Sequence, residues 1–375
     1  MRSSTRSGGV DLRAEGLSKR FGDAVALDDV SFTVGRGEFR SLLGPSGCGK
    51  TTTLRCIAGL ERPDDGRIYL GDELVSAPGE SVDTPPEERD VGMVFQSYAV
   101  WPHMTVEENV RYPLDVRGIG SAGERADRAG NLLGTVGLKD RSGEYPTGLS
   151  GGEQQRVAIA RALVTDPGVL LFDEPLSQLD VGLRRELREE IRRICDDLDT
   201  TVLYVTHSQD EAMYLSDRLS LMSGGRIVEE GEPLPLYETP RTLFGMTFMG
   251  QCNTLEGTVL STAETATVVE TPAGELRIPC SVDRVRPGDE VVVCFRPTLC
   301  RLLDGDGRDE AGLVFEGTVE RWSPIRDAVE YRIVVEATEL VLHSRRSRRL
   351  SVGESVRFGV PAEYVRLFRR PRARS

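Results

Sequence analysis

Gly44-Pro45-Ser46-Gly47-Cys48-Gly49-Lys50-Thr51 lies between a strand-like run, Phe39 to Leu43, and a helix-like segment, Thr52 to Ala58. The eight residues fit the phosphate-binding pattern G-x-x-x-x-G-K-[ST], with a strand before it and a helix after it, as that pattern requires. Its glycines let the backbone curl until the N–H groups point inward at the β- and γ-phosphates, where a Cβ would clash. The helix that follows offers unpaired N–H groups and the positive end of its dipole to the same anion. Lys50 adds a point charge on the β/γ-phosphates, and the Thr51 hydroxyl is placed to ligate Mg²⁺. Lys occurs only at 19, 50 and 139 in an otherwise Arg-based cation set, so a Lys directly after Gly49 strengthens the phosphate reading.

Composition sets the frame around this loop. A chain of 375 residues makes two or three domains, each able to bury a core, and 39% hydrophobic with 29% charged residues is ordinary for a soluble globular protein. The longest apolar runs, Val169 to Phe172 and Val291 to Phe295, are too short to span a bilayer. Met1 to Asp11 is polar and lacks the apolar core of a secretory signal, which predicts a cytoplasmic protein. The net charge of −13 argues against a general nucleic-acid binder. It is unevenly spread: residues 341 to 375 hold ten Arg against two Glu, a basic tail read as solvated surface. Seven Cys without a C-x-x-C pair and three His exclude an ordinary zinc or disulfide framework and suit a reducing compartment.

Along the chain, residues 12 to 34 are strand-rich, and Phe21 precedes a Gly-Asp turn, where it either stacks on a base or simply packs. The strand entering the loop is unusual. A central parallel strand should be apolar on both faces, yet Arg40 and Ser41 interrupt it. Residues 66 to 71 and 91 to 95 read as strands, and Gln96 stands at the end of the second. Residues 97 to 147 turn polar and helical, like an inserted subdomain. Ser150, Gly151 and Gly152 then occupy a helix start, a second ready-made anion site. Val169 to Phe172 reads as a buried strand ending in Asp173-Glu174, where an Mg²⁺-orienting Asp and a general-base Glu are expected in a chain with a phosphate loop. Leu183, Leu187, Ile191, Ile194 and Leu198 trace an amphipathic helix, and the strand Thr201 to Thr206 ends at His207, within reach of a γ-phosphate. The strand–helix alternation predicts a doubly wound α/β domain ending near Pro240.

From 241 onward the chain changes to short β-like runs and carries a weak internal repeat. Glu256-Gly257-Thr258-Val259 recurs as Glu316-Gly317-Thr318-Val319, and Pro287 to Val291 resembles Val352 to Val356, which predicts two copies of one small β-barrel unit.

These residues together resemble the ATPase subunits of ABC transporters. Gly44 to Thr51 resembles their Walker A loop, Gln96 the Q-loop, and Leu149-Ser150-Gly151-Gly152-Glu153-Gln154 the signature motif. Leu170 to Pro175 resembles Walker B with its catalytic Glu, Ser177-Gln178-Leu179-Asp180 the D-loop, and His207 the switch histidine. Departures are Arg40-Ser41 for the usual apolar pair, Gln178 where Ala or Asn is usual, and Ser208 where Asp commonly follows the histidine. None removes a residue assigned to chemistry.

The fold this implies is a P-loop NTPase ABC cassette over 12–240, mostly parallel sheet with a helical subdomain at about 97–160. An all-β TOBE domain of two OB-like repeats follows over 241–375. The resemblance implies ATP contacts from Phe21, Gly44, Pro45, Ser46, Gly47, Cys48, Gly49, Lys50, Thr51, Thr52, Ser150, Gly151, Gly152 and Asp180. It implies Mg²⁺ on Thr51, Gln96 and Asp173, and catalysis by Glu174, His207 and Gln96. ATP is then sandwiched across a head-to-tail homodimer, between the loop of one subunit and the signature of the other. Closure of that dimer drives two integral-membrane permease subunits, served by an extracytoplasmic solute-binding protein, from the cytoplasmic face of the membrane. Tyr98, Trp101 and His103 resemble the surface that receives a permease helix, with plain packing as the other reading. The stretch Ser97 to Thr105 leans toward ferric-iron or polyamine importers over sugar importers. A soluble ABC ATPase acting on nucleic acid is the rival, favoured by OB-like barrels and the basic tail. The single cassette and the acidic bulk stand against it, so no nucleic-acid partner is expected.

Overall fold

The computed structural model describes residues 9–263, 266–278, 285–303, 312–325, 328–345 and 349–370. The chain divides into two compact units, Met1–Leu234 and Pro235–Ser375. Cys280 and the tail arginines at 346, 348, 372 and 374 lie outside the described residues.

The first unit opens with β1 (Val10–Phe21), β2 (Ala24–Gly35), β3 (Phe39–Leu43) and α1 (Lys50–Ala58). After β4 (Asp65–Leu70), β5 (Glu73–Ala77), β6 (Val82–Asp83) and β7 (Val91–Val94) comes a helical stretch: α2 (Val106–Arg117), α3 (Ala122–Thr135) and α4 (Gly151–Leu163). The unit closes with β8 (Val169–Asp173), α5 (Val181–Asp197), β9 (Thr201–Thr206), α6 (Gln209–Leu215), β10 (Arg218–Ser223) and β11 (Arg226–Gly231). Six strands form the main sheet in the order β11-β10-β3-β9-β8-β7, parallel from β10 to β7. Every residue of β3, β8 and β9 is buried, as expected of strands covered on both faces. A second sheet, β2-β1-β4-β5-β6, is antiparallel.

The helices of the insert start where their sequences say they should. Thr105, Ser121 and Ser150 each cap a helix, and a Glu three residues later reaches back to the cap N–H, giving three capping boxes.

Arg40 and Ser41 do not disturb β3. Arg40 is 2% exposed, and its guanidinium donates to Ser220 Oγ at 2.8 Å, to the Thr33 carbonyl at 2.8 Å and to the Glu230 carboxylate. Ser41 Oγ meets Ser216 Oγ at 2.6 Å. A buried charge tolerated this way needs both a counter-ion and hydrogen bonds, and Arg40 has both. Burial still pulls its pKa down.

The second unit begins with α7 (Pro233–Glu238), which crosses the boundary, and α8 (Leu243–Phe248). Its strands are β12 (Asn253–Ala263), β13 (Ala266–Thr271), β14 (Gly274–Ile278), β15 (Glu290–Phe295), β16 (Arg301–Leu302), β17 (Leu313–Ile325), β18 (Ala328–Val335), β19 (Thr338–Arg345), β20 (Ser355–Val360) and β21 (Arg366–Arg369). They form two five-stranded sheets, β14-β13-β12-β15-β21 and β16-β20-β17-β18-β19, around one apolar core. The sequence repeat maps onto equivalent strands. A Cβ on Gly257 in β12 would lie 2.4 Å from the Glu270 carbonyl, and one on Gly317 in β17 would lie 2.4 Å from the Val334 carbonyl. Gly288 and Gly353 each donate to the Val that closes its own repeat motif, Val259 and Val319, at 2.8 Å. The outer strands are exchanged: β15 is flanked by β21, from the end of the chain, and β20 by β16. Of the described tail arginines, Arg357, Arg369 and Arg370 pair with Glu316, Asp289 and Glu256.

Candidate functional site

The site forms where four parallel strands end. In the order β3-β9-β8-β7, their carboxyl ends carry the Gly44–Thr51 loop, His207, Asp173-Glu174 and Gln96. Open α/β sheets bind ligands at this edge.

The loop turns into α1 through Gly49, whose φ of 105° suits glycine alone, and a Cβ there would lie 2.5 Å from the Ala26 carbonyl. No side chain caps α1, so its first N–H groups are open to a ligand. Pro45, Ser46 and Gly47 are exposed, whereas the Lys50 side chain is buried. Its ammonium donates to the carbonyls of Gly44 at 2.8 Å and Pro45 at 3.0 Å, and lies 3.7 Å from Cys48 Sγ. It thus sits on the loop itself, held by neutral dipoles.

Thr51 donates its hydroxyl to Asp173 Oδ1 at 2.9 Å, so two residues 122 positions apart are brought together. Burial pushes the Asp173 carboxyl up, against the Thr51 hydrogen bond and the charges of Arg55 and Lys50. Glu174 follows with φ 47°, a left-handed conformation rare for a non-glycine residue and associated with functional sites. Its Oε2 lies 3.0 Å from His207 Nδ1. Behind His207, the buried carboxylate of Glu211 accepts from Tyr204 at 2.9 Å and Thr206 at 2.8 Å, which anchors the end of β9. Ser208 caps α6 by accepting the Glu211 N–H.

Gln96 stands at the end of β7, where the sequence expectation puts it. Its amide donates to Ser177 Oγ at 3.1 Å, and that hydroxyl donates to the Glu174 carbonyl at 2.8 Å. This relay ties Gln96 to the backbone of the base candidate. Ser177 entered the sequence reading only as the first residue of the D-loop resemblance, and Glu211 was not singled out, because a buttressing carboxylate belongs to no chemical motif.

The second anion site is built otherwise. Ser150 Oγ accepts the Glu153 N–H at 3.3 Å, while Glu153 Oε2 takes the Ser150 N–H and hydroxyl, both at 2.8 Å. Those two bonds hold the Glu153 carboxyl below the usual range. Gly151 and Gly152 open the helix beyond the cap. Asp180 caps α5, accepting from Gly182 and Leu183 at 3.0 Å each. Thr52 sits in the first turn of α1, half-buried. Phe21 ends β1 with its ring 51% exposed and the Lys19 ammonium 5.3 Å from its centroid.

Residues 97–105 are held by two buried polar groups. The Arg161 guanidinium donates to the carbonyls of Tyr98 at 2.9 Å and Ala99 at 2.6 Å and lies 4.6 Å from the centre of the Trp101 ring. Asn109 bonds both the N–H and the carbonyl of Trp101. Trp101 also packs on Tyr112, and His103 is exposed.

Comparison with known proteins places the chain in a family. The family described as ABC transporter matches residues 27–177. The Fe(3+) ions import ATP-binding protein FbpC of Brucella suis is 44% identical over 330 residues, covering 88% of this chain and 89% of the relative. The spermidine/putrescine import ATP-binding protein PotA of Pseudomonas aeruginosa is 42% identical over 330 residues, covering 88% of each. A dimeric structure of a post-hydrolysis state of the ATP-binding cassette MJ0796, bound to ADP and Pi, has a TM-score of 0.51 at 31% identity, covering 59% of this chain and 98% of that one.

Proposed function

This chain belongs to the ABC transporter family as one of its transport ATPases, and from that premise we propose that it energises a membrane importer of ferric iron or a polyamine. The observation that carries the reading is the convergence of Lys50, Asp173, Glu174 and His207 at the ends of three adjacent strands. In this reading ATP lies along the Gly44–Thr51 loop, with its adenine on the exposed Phe21 ring and its phosphates on the uncapped start of α1. Lys50 exchanges the loop carbonyls it now bonds for phosphate oxygens, a charge-assisted replacement for neutral contacts.

The hard oxygens of Thr51 and Asp173, 2.9 Å apart, fit a magnesium ion that keeps its other positions for water and phosphate. When bound, that ion supplies charge neutralisation on the phosphate oxygens. Glu174 takes the proton of the attacking water, and the His207 imidazole fixes the carboxylate's orientation from 3.0 Å away. Gln96, through Ser177, links that base to the helical insert, where residues 97–105 offer a permease its docking surface. The second unit is read as a TOBE domain of two OB-like repeats with exchanged edge strands.

The protein works as a head-to-tail homodimer under two permease subunits, peripheral to the membrane on its cytoplasmic face. Among the described residues no helix is long and apolar enough to cross a membrane.

Reconstitution of the chain with its permease pair in proteoliposomes tests this. ATP hydrolysis should rise when the solute-binding protein arrives loaded with ferric iron or spermidine, and that solute should accumulate inside. Hydrolysis indifferent to the permeases and to the loaded binding protein would refute the importer assignment.

A further inference from the structure

Three groups in the second unit are not used by any step above. Cys252 immediately precedes β12, and Cys294 lies in β15, its antiparallel neighbour. Asn253 faces Phe295 and Thr254 faces Cys294, so Cys252 shares a sheet face with Cys294 one diagonal step away. Both sulfurs lie in a small apolar cluster with Met246 of α8, Val292 and Phe368. The Cys252 thiol donates to the Asn253 carbonyl at 3.2 Å and to the Phe295 carbonyl at 3.7 Å. Cys294 is fully buried, whereas Cys252 is only partly so.

The third group is Arg296, fully buried two residues beyond Cys294. Its Nε donates to the Tyr237 carbonyl at 3.0 Å, and its Nη1 to the carbonyls of Gly250 at 3.0 Å and Gln251 at 3.3 Å. Its Nη2 has no partner among the described residues, and no carboxylate there pairs with it. Compare Arg40, equally buried, which has Glu230. A buried guanidinium without an anion is costly, and the ionisable groups near it are the thiols of Cys252 and Cys294 and the Tyr237 hydroxyl.

We propose that Cys252 and Cys294 form a peroxide-reactive dithiol, with Cys252 as the attacking sulfur, Cys294 as the resolving one and Arg296 as the cation that favours the Cys252 thiolate. Cys252 is the more exposed of the two, and the Arg296 guanidinium bonds the carbonyls of Gly250 and Gln251 directly before it. The neighbouring Cys294 thiol and the Arg296 charge hold the Cys252 thiol below the usual range against the opposing effect of burial. Cys294, fully buried, is pushed the other way by the neighbouring Cys252 thiol and by burial. Cys300, 5% exposed, is pushed up to about 12 by burial and serves as an inert reference in the same unit.

The chemistry balances with a hydroperoxide as oxidant. The Cys252 thiolate attacks the terminal peroxide oxygen, so an S–O bond forms, the O–O bond breaks and the alcohol, or water, leaves with the proton. The Cys294 sulfur then attacks the sulfur of the resulting sulfenic acid. The S–S bond forms, the S–O bond breaks, and the released hydroxide leaves as water with the Cys294 proton. The dithiol loses two electrons and the peroxide gains them.

The test is residue-resolved mass spectrometry of the full chain after stoichiometric hydrogen peroxide. A Cys252–Cys294 cross-link that dithiothreitol reverses is expected, formed at least about tenfold faster than any oxidation of Cys300, in keeping with thiolate-controlled reactivity. Cys294→Ser should leave a sulfenic acid at Cys252 that dimedone traps, and Arg296→Gln should slow its formation. Absence of the cross-link together with Cys252 oxidising no faster than Cys300 overturns the proposal. So does a Cys294→Ser chain in which dimedone labels other cysteines and not Cys252.

Discussion

The two helix starts of the cassette proposed to meet the phosphates are finished in opposite ways. α1 has no side-chain cap, and the cation beside it, Lys50, is held by neutral groups of its own loop, the carbonyls of Gly44 and Pro45 and the Cys48 sulfur. α4 is closed on itself: Ser150 and Glu153 satisfy each other, and a carboxylate already occupies the positive end of the helix. The first can take a polyphosphate from one chain alone. In the proposed reading the second offers only Gly151, Gly152 and the Ser150 hydroxyl, and contributes once another chain has brought the anion to it. An open site and a self-satisfied one in the same cassette are what a composite site between two copies requires.

The comparison can be broken at either end. The largest effect is expected at the closed site. Ser150→Arg should cut steady-state ATP turnover by at least about 100-fold, the scale of losing one preorganised transition-state donor, while a single chain binds ATP as before. Calorimetric titration beside a phosphate-release assay separates the two, and a parallel loss of affinity would make α4 part of the same-chain site. Lys50→Ala should do the reverse and weaken ATP binding by about 10- to 100-fold, in line with a lost charge-assisted bond. His207→Ala removes a positioning group from Glu174. Turnover should fall by about tenfold, less than the loss of a general base itself. Because the ring is 53% exposed, its melting temperature should stay unchanged.

The smallest effect is a gain in stability. Burial raises the native pKa of Asp173, so between its unfolded and native values the folded state binds more protons than the unfolded one. Stability therefore falls as pH climbs through that window, and above it the buried charge is a standing cost. Asp173→Asn should raise the melting temperature of the nucleotide-free chain at pH 7 by about 2–4 °C, the shift for roughly 1 kcal/mol in a domain of this size, while turnover is lost. A lower melting temperature would mean that the Thr51 hydrogen bond outweighs desolvation.

What the sequence revealed follows how local its signals are. The loop, the helix start at Ser150 and the buried strands ending at Asp173 and His207 are written in contiguous residues and lie where their patterns put them. Arg40 looked anomalous because its counter-ion Glu230 is 190 positions away on β11, out of reach of any reading of β3 alone. Gln96 was assigned by its position at a strand end, whereas its amide bond to Ser177 could not be read there, because that partner is 81 positions on. The repeat in the second unit shows in four shared residues because glycines at close backbone approaches tolerate nothing larger. The exchange of β16 and β21 leaves no mark, since an edge strand pairs through its backbone.

The composite site stands or falls on one measurement. Glu174→Gln keeps the loop, the signature and the metal-binding oxygens while removing the proton acceptor, so ATP once bound cannot be spent. Light scattering of this variant with saturating ATP and Mg²⁺ should give a dimer that holds two nucleotides, and adding Ser150→Arg to the same chain should return it to a monomer that still holds one. A Glu174→Gln chain that binds ATP and remains monomeric would contradict the account.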